Sequence, residues 1–441
     1  MIRVWEWLVG GCCVDNLPVG WPGIFWIFVL LLEWLLALGW VARLVAWRRH
    51  ASRVTDLWSG YFAPLLTETE YDVQPQLSVI VPACNEEAAI EATLRSLLAS
   101  EGVRLQIVAV NDRSTDRTGE IMRRVAAEWA AGSDDAARKI KRIPEHLLEV
   151  VDIEELPGGW LGKPHALFSG VRRARAQWLL FTDGDVVFHP QAAGRALACA
   201  VERQAGQLVL LPDLVLGSRG EAAMHGMMYS LSLWGFEPWN VENPQSSAFL
   251  GVGAFNLMHR SSYDAVGGME GLRLEVLEDM RMGWKIKRAG LQPMAVFGPG
   301  LVRVRWAHGA WGVVRNTEKN LFSLYRFRVW LTVLASFALS LHVLVPAVVL
   351  VGGLISDSKI FRGVAFLGLT VHAAALVGLY RETRRITHVP TAYVLLFPFA
   401  MGLFVFAHLR SMMLALVRGG IRWRGSFYSL RTLREHAGKW K

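Results

Sequence analysis

Cysteine is scarce in this chain, which has only 4 among 441 residues. Cys12, Cys13, Cys84 and Cys199 do not show the spacing of a metal-binding motif. Cys84 and Cys199 fall in a stretch that we place in the cytoplasm below, where disulfides rarely persist. Cys12 and Cys13 are either a lipidation site or an inert pair beside a membrane helix, and we favour the inert pair.

The glycine-rich loops of common nucleotide-binding folds are also missing. After the first predicted strand the chain reads Pro-Ala-Cys-Asn-Glu-Glu over 82–87 in place of G-x-G-x-x-G, and no G-x-x-x-x-G-K-[ST] sequence occurs. Nicotinamide and P-loop chemistry are therefore disfavoured. Basic segments interleaved with aromatic residues are absent as well, so we predict no nucleic-acid partner. The net charge of +9 suits an anionic bilayer surface better.

Charged residues are few for a soluble enzyme, at 19% against 53% hydrophobic residues, yet too many for a chain lying wholly in lipid. A catalytic domain anchored in a membrane satisfies both values. Apolar runs at 21–47, 329–355, 363–380 and 391–417 are near or above the length that crosses a hydrocarbon core of about 30 Å. We predict an extracytoplasmic segment at 1–20, a transmembrane helix at 21–47, a cytoplasmic catalytic domain at 51–327, a transmembrane region at 329–417 and a basic tail at 418–441.

The side of the membrane on which the tail lies depends on how many runs cross. Arg48, Arg49 and Arg53 follow the first run and indicate a cytoplasmic exit, as in a bacterial inner membrane protein. Four crossings would then leave the basic tail outside, against the positive-inside tendency. The shortest run, 363–380, is our candidate for an interfacial or re-entrant segment, which would bring the tail inside.

The middle of the chain alternates between short β-rich runs and helical patterns. We predict strands at 77–81, 105–110, 147–151 and 178–182, and helices at 88–100, 115–130, 164–176 and 190–204. Pro82 is expected to end the first strand. This alternation is typical of an α/β fold with a mainly parallel sheet, whose ligands bind beyond the carboxyl ends of the strands. Glu86, Asp112, Asp183 and Asp185 all fall at those ends.

A set of motifs in this region resembles family 2 glycosyltransferases of the GT-A fold over about 77–290. The motifs are Leu-Ser-Val-Ile-Val-Pro-Ala-Cys-Asn-Glu at 77–86, Val-Asn-Asp-Arg-Ser-Thr-Asp-Arg-Thr at 110–118, Gly162-Lys163, Asp183-Gly184-Asp185 and Glu278-Asp279. The resemblance implies a nucleotide-sugar-binding domain combined with one N-terminal and two or three C-terminal transmembrane helices.

The resemblance implies roles for residues at the nucleotide. Asp112 would bond to the base, commonly uracil, and the loop with Pro82, Cys84 and Glu86 would close over the nucleoside. Lys163 follows a glycine-rich turn and would contact the diphosphate, which suits a compact positive charge. Plainer interpretations also exist, since Asp112 could cap a turn, and Glu86 and Lys163 could be solvated surface residues.

The remaining carboxylates carry the chemistry in this interpretation. Asp183 and Asp185 resemble the D-x-D pair, in which the first also reaches the nucleotide and both bind Mg²⁺ or Mn²⁺, ions that prefer hard oxygen ligands. Asp279 would be the general base that assists an acceptor hydroxyl, and a single displacement would invert the anomeric centre. The neighbouring Glu278 points elsewhere on a helix and is the second candidate.

Processive polysaccharide synthases carry Q-x-x-R-W, and no glutamine fits that pattern before Arg305-Trp306 here. We therefore expect transfer of a sugar, most commonly from UDP, to a membrane lipid hydroxyl. A short-chain polysaccharide synthase and a non-catalytic nucleotide-binding scaffold remain as alternatives. The segment 306–320 would gate the site, contact the diphosphate or lie at headgroup depth. The sugar, the acceptor and the oligomeric state are left open.

Overall fold

A computed structural model describes residues 21–60, 74–132 and 146–437. The predicted extracytoplasmic segment 1–20, with Cys12 and Cys13, lies outside the described residues, as do the last residues of the tail. The described chain forms an α/β domain attached to a bundle of long apolar helices. The predicted fold class is confirmed.

The strands are β1 (Thr55–Asp56), β2 (Leu77–Ala83), β3 (Leu105–Asp112), β4 (Leu147–Ile153), β5 (Trp178–Phe181), β6 (Val186–Phe188), β7 (Gln207–Leu210), β8 (Asp213–Leu214), β9 (Asn256–His259), β10 (Pro293–Phe297), β11 (Val302–Val304), β12 (Gly420–Trp423) and β13 (Ser426–Ser429). The α-helices are α1 (Trp21–His50), α2 (Ile90–Leu98), α3 (Thr118–Ala131), α4 (Gly162–Val171), α5 (Ala192–Glu202), α6 (Arg219–Gly235), α7 (Arg260–Ala265), α8 (Glu278–Arg288), α9 (Gly309–Leu324), α10 (Val329–Ile355), α11 (Lys359–Thr387), α12 (Phe397–Arg418) and α13 (Leu430–His436). Short 3-10 turns lie at Ala51–Arg53, Pro238–Asn240, Glu270–Leu272 and Thr391–Leu396.

The central sheet has the strand order β1-β10-β7-β9-β5-β2-β3-β4. Its pairs are parallel except for β9, which is antiparallel to both β5 and β7. Every residue of β2 is buried, as expected for a strand covered by helices on both faces. A smaller sheet, β6-β11-β8, continues from the end of β5.

The strands and helices predicted for the middle of the chain all form, with errors at their ends. Pro82 does not end the first strand, because β2 continues to Ala83 and Pro82 lies opposite Val110 of β3. On its other side the pairing with β5 stops at Ile80, so the missing N–H of proline interrupts no bond there. Helix α4 ends at Val171, earlier than predicted, since the carbonyl oxygens of the residues that follow accept bonds from Gln106 and Arg260.

Four described helical segments are long and apolar enough to cross a membrane: Gly23–Arg53, Val329–Ile355, Lys359–Thr387 and Thr391–Arg418. Helices α1 and α11 run side by side in the same direction, and the buried Glu33 accepts a hydrogen bond from the His372 ring across them, at 2.9 Å. Helix α10 runs the opposite way. At the end of the bundle away from the domain, Trp26 packs on Gly352 and on Phe361.

Helix α12 does not reach that far end. Its first residue, Phe397, packs on Trp40, in the half of α1 nearer to the domain. Its last residue, Arg418, bonds to Glu318 of α9 at 2.7 Å. Both ends of α12 therefore lie toward the domain, and α12 enters only the near half of the bundle.

The tail lies on the same side as the domain, because Arg424 reaches Asp112 at the carboxyl end of β3. Three crossings, by α1, α10 and α11, place the tail on the same side of the membrane as the domain when α12 does not cross. Our candidate for the segment that does not cross, 363–380, is corrected: it lies inside α11, which is paired with α1 along the bundle. Hydropathy could not separate the two helices, since both are long and apolar.

Candidate active site

The carboxyl ends of the parallel strands bring the predicted acidic residues to one edge of the sheet. Asp112 ends β3, Glu86 follows β2, and Asp183 and Asp185 follow β5. Lys163 lies in the first turn of α4, which is preceded by the glycine-rich turn. Residues far apart in sequence are thus brought to the same edge of the sheet.

Lys163 is the centre of this group of charges. Its ammonium Nζ lies 2.7 Å from Asp183 Oδ1 and 2.8 Å from Glu278 Oε1. Burial alone would lower the pKa of Lys163, but Asp183, Glu278 and Asp279 together raise it, so the amine is charged. Burial likewise opposes ionisation of Asp183, and Lys163 nevertheless brings the pKa of that carboxyl below its usual range.

Gly253 lies where three of the candidate residues converge, and the sequence analysis missed it. A Cβ placed on Gly253 would lie 2.8 Å from Asp183 Oδ2, 3.2 Å from Lys163 Nζ and 3.5 Å from Asp279 Oδ2. Gly251, two residues earlier, lies against the backbone of α8. A Cβ placed on Gly251 would lie 1.9 Å from the Asp279 carbonyl oxygen. The short Gly-Val-Gly sequence at 251–253 is the signal that could have indicated such a close approach.

The two carboxylates of the Glu278-Asp279 pair differ in their surroundings. Glu278 is buried and paired with Lys163. Asp279 accepts the backbone N–H of Met280 at 2.7 Å, while burial and then the charge of Glu278 raise its pKa to about 6. Asp279 is therefore a stronger base than an ordinary aspartate, and it is the member of the pair not bonded to Lys163.

The cleft at these residues has a volume of about 490 Å³ and is bounded by the domain on one side and by C-terminal segments on the other. Cys84, Glu86, Lys163, Asp183 and Asp185 line the domain side. Glu278 and Asp279 do not line this cleft; they border a recess of about 10 Å³ that also includes Lys163 and Gly253. Pro82 lies in the sheet, buried and outside the lining of the cleft.

The wall opposite the carboxylates is strongly basic. It includes Arg315 and Lys319 of α9, Arg418 at the end of α12, and Arg422 and Arg424 of the β12–β13 hairpin. Lys319 lies 4.4 Å from the centre of the Trp423 ring, and burial lowers its pKa to about 8. Of these residues, Arg315 and Lys319 belong to the segment that we considered for diphosphate contact, whereas the arginines of the tail had been interpreted only as a membrane-side charge cluster.

Asp112 is fully buried, and both of its carboxylate oxygens have cationic partners. Arg113 Nε donates to Oδ1 at 2.8 Å and Arg424 Nη1 donates to Oδ2 at 3.2 Å. The backbone of Gly162 also passes close by, since a Cβ there would lie 2.8 Å from Asp112 Oδ2. Cys84 lines the cleft nearby, and burial raises the pKa of its thiol.

The pKa values of Asp185 and Glu86 indicate whether a divalent cation would fit beside them. Burial and then the charge of Asp183 raise the pKa of Asp185 to about 6, and burial and then Asp185 raise that of Glu86 to about 7. Such values mark a concentration of negative charge that Lys163 does not neutralise. Among the described residues no group of three or more His, Cys, Asp or Glu side chains is arranged to hold a metal alone. The carboxylates thus suit Mg²⁺ or Mn²⁺ when diphosphate oxygens supply further ligands.

Residues 78–267 match the protein family described as Glycosyl transferase family 2. This stretch is a family 2 glycosyltransferase domain. The resemblance to family 2 glycosyltransferases drawn from the motifs is confirmed for this stretch.

Relatives of this chain include the 4,4'-diaponeurosporenoate glycosyltransferases of two staphylococci. The protein of Staphylococcus haemolyticus (strain JCSC1435) is 26% identical over 267 residues, which cover 58% of this chain and 65% of that protein. The protein of Staphylococcus aureus (strain USA300) is 26% identical over 211 residues, which cover 47% of this chain and 50% of that protein. The chain thus matches between half and two thirds of the length of these relatives.

Solved structures with a similar arrangement include a mannosyltransferase and the protein TarS. The mannosyltransferase PcManGT from Pyrobaculum calidifontis, in complex with GDP-Man and Mn2+, is 16% identical with a TM-score of 0.44, covering 88% of this chain and 99% of that one. S. aureus TarS 1-349, in complex with UDP, is 15% identical with a TM-score of 0.35, covering 79% of this chain and 93% of that one.

Replacement of Gly253 by alanine tests the close convergence at Lys163. The added methyl group would displace Asp183 and Lys163, so we expect kcat/KM to fall by at least about tenfold if a contact worth about 1.4 kcal/mol is lost. Thermal unfolding of the purified variant and its turnover would be measured together. Gly158→Ala is the matched control, because a Cβ at Gly158 meets nothing within 4 Å. Unchanged turnover in Gly253→Ala would contradict the arrangement described.

Neutralisation of Asp185 separates a metal ligand from a structural carboxylate. The raised pKa of Asp185 means that its ionised form is disfavoured in the folded state. Asp185 therefore lowers the free energy of unfolding as the pH rises from the ordinary pKa of an aspartate toward about 6. We expect Asp185→Asn to raise the melting temperature in EDTA at pH 8 and to abolish the stabilisation that Mn²⁺ gives in the presence of a nucleoside diphosphate. Asp152→Asn, at an exposed ion pair with Arg123, is the control. Full Mn²⁺ stabilisation in Asp185→Asn would remove this residue from the metal site.

Proposed function

We propose that this protein transfers a sugar from a nucleotide diphosphate donor, most commonly UDP, to a lipid acceptor that reaches the cleft from the membrane. The observation that carries the proposal is the convergence of Asp183, Lys163 and Asp279 around Gly253, beside a cleft whose other wall belongs to membrane-associated helices. The family of the domain supports a transferase.

The charges of the cleft favour a diphosphate. Lys163 projects from the domain, and Arg315, Lys319 and Arg418 face it from the opposite wall. Guanidinium groups and ammonium groups are the side chains that bind phosphate oxygens best. Asp183 and Asp185 lie between the two sets, so a cation bridging carboxylate and phosphate would have its ligands there.

Mg²⁺ or Mn²⁺ would be held by Asp185 and Asp183, with Glu86 close enough to add to the negative charge. Bound there, the cation would neutralise charge that develops on the departing nucleotide diphosphate. The protein contributes the remaining compensation through Lys163 and Lys319. Because Lys163 is buried between two carboxylates, it stays protonated throughout the physiological pH range.

Asp279 is the proposed general base. Its raised pKa of about 6 brings it closer to the operating pH, which increases the driving force for taking a proton. Glu278 is bonded to Lys163 and serves to hold that lysine in place. A single displacement assisted by one base inverts the anomeric centre. The recess at Asp279 holds no more than about one water, so it has to widen before an acceptor oxygen enters.

The acceptor would come from the bilayer side. Leu414 and Ala415 of α12 line the cleft, while Phe399, Phe406 and Met413 of the same helix face outward and are 68%, 45% and 53% exposed. A helix with apolar residues exposed along its length beside a polar cleft suits an interface with lipid. An acceptor lipid could therefore present its polar end to the cleft while its chain stays in the membrane.

The chemical class of the acceptor has two candidates. A hydroxyl is a poor nucleophile and needs Asp279 as a base. The names of the staphylococcal relatives specify a carboxylate, 4,4'-diaponeurosporenoate, as their substrate. A carboxylate is already ionised at neutral pH and needs no base, since its ordinary pKa is about 4.

The full-length protein, purified in detergent and supplied with Mn²⁺, tests the proposal when incubated with labelled nucleotide sugars and lipids bearing either a hydroxyl or a carboxylate. We expect release of the nucleoside diphosphate together with one added sugar on one lipid class, detected by mass spectrometry. Products that lengthen with time would identify a polysaccharide synthase. Nucleotide binding without transfer to any lipid in the panel would favour a scaffold.

The variant Asp279→Asn distinguishes the two acceptor classes. With a hydroxyl acceptor we expect turnover to fall by about 10²–10⁴-fold, while nucleoside diphosphate affinity stays near wild type. The wild-type rate should also fall as the pH drops through about 6, because protonation of Asp279 removes the base. With a carboxylate acceptor, Asp279→Asn should retain most of its turnover. Equal losses of binding and turnover would indicate that Asp279 is structural.

A further inference from the structure

The C-terminal hairpin β12–β13 extends over the end of the cleft near Cys84 and Asp112, which we call its nucleoside end. Its two strands are joined by Arg424 and Gly425, whose φ angles are +48° and +75°. Two residues with positive φ define the tight hairpin turn that usually contains Asn-Gly. Arginine is an unusual choice at the first position, since a side chain with a Cβ is strained there.

Arg424 contacts Asp112, the carboxylate to which the resemblance to family 2 glycosyltransferases gives the nucleotide base. Its Nη1 is 3.2 Å from Asp112 Oδ2, and the two side chains are 13% and 0% exposed. Together with Arg113, which bonds to Oδ1, it leaves Asp112 without a free face. The positive charge of Arg424 also acts on Glu86, Asp183 and Asp185, so it lies between the two ends of the donor site.

The rest of the hairpin is attached to the domain around the same point. The Gly162 N–H donates to the Tyr428 hydroxyl at 3.1 Å, and Arg113 Nη1 donates to Ser426 Oγ at 3.0 Å. Ile421 packs in an apolar cluster with Leu161, next to the turn that carries Lys163. Arg424 and Ser426 at the tip make polar contacts, whereas Ile421, Trp423 and Tyr428 pack against the apolar cluster. Release of the two polar contacts would free the tip while the apolar contacts hold the rest of the hairpin.

We propose that residues 420–429 form a strap that gates the nucleotide site, in which Arg424 and a nucleotide base compete for the Asp112 carboxylate, so that Arg424 must leave before a base can bond there. This inference rests on the proposed role of Asp112 in base recognition. It adds a competition within the chain: the apparent affinity for a nucleoside is reduced by the fraction of molecules in which the strap is closed. The strap also joins the membrane helix α12 directly to the donor site, because β12 begins where α12 ends.

Nucleoside binding to the full-length protein tests this competition. Uridine, cytidine, adenosine and guanosine are used in place of diphosphates, so that loss of a phosphate contact does not obscure the result. We expect Arg424→Gln to bind the preferred nucleoside about tenfold more tightly than wild type, which corresponds to about 1.4 kcal/mol. Arg431→Gln is the matched control, because it removes one positive charge from the same C-terminal segment at an exposed ion pair with Glu435, outside the lining of the cleft. If a nucleoside binds to the wild type, equal or weaker binding of that nucleoside by Arg424→Gln would overturn the proposal.

Alkylation of Cys84 provides a second readout, independent of any ligand. Cys84 lines the cleft beneath the strap, whereas Cys199 is fully buried, and Cys12 and Cys13 are replaced by serine in every variant. Burial raises the pKa of the Cys84 thiol, and Arg424 works against that rise. Loss of Arg424 with a closed strap would therefore leave less thiolate and slow the reaction at fixed pH. An opened strap should instead accelerate alkylation several-fold.

The two readouts separate the possible outcomes. Faster alkylation in Arg424→Gln, together with an intermediate rate in Arg424→Lys and an unchanged melting temperature, supports the strap. Slower or unchanged alkylation contradicts it, whatever the nucleosides do. If no nucleoside binds to any variant while alkylation still accelerates, the strap stands and the proposed base-binding role of Asp112 fails.

Discussion

The buried ammonium group of Lys163 is the interaction on which the candidate site depends. It joins the loop after β5, through Asp183, to the first turn of α8, through Glu278. A charge removed from water is tolerated only when it is well paired, and either carboxylate alone would be left uncompensated without the lysine. Because Lys163 bonds to Glu278 rather than to Asp279, the neighbouring aspartate keeps a raised pKa and the character of a base.

Close backbone approach makes that pairing possible. The segment 250–253 passes so near to α8 that Gly251 and Gly283 have no room for a side chain. Gly253 in turn leaves the space in which Asp183, Lys163 and Asp279 meet. These glycines, which take no part in the reaction themselves, therefore determine the geometry of the charged groups. Because they have no side chains, three acidic side chains fit into this small volume.

The cleft is divided between two parts of the chain with opposite charge. The α/β domain supplies Glu86, Asp183 and Asp185, whereas α9, α12 and the C-terminal hairpin supply most of the cations together with Glu318, which pairs with Arg418. The second part is also the part attached to the membrane helices. In the proposed function, an anionic donor would lie between the α/β domain and these C-terminal segments. The hairpin that follows α12 contacts Asp112 through Arg424, so the proposed strap would connect donor entry to the position of α12.

Local pattern was sufficient for much of the fold and for the identity of the acidic residues. Alternating β-rich and helical runs predicted the parallel sheet, since strands buried on both faces are continuously apolar, and their carboxyl ends predicted where Asp112, Asp183 and Asp185 would lie. The apolar runs predicted the long helices, but hydropathy measures length and composition and says nothing about which neighbours a helix contacts. Only the tertiary structure showed that α12 returns to the domain. It alone also showed that Lys163 pairs with Glu278 and not with Asp279, and that Arg424 contacts Asp112. These three outcomes depend on distances between segments remote in sequence, which are decided by packing and by the pairing of buried charges.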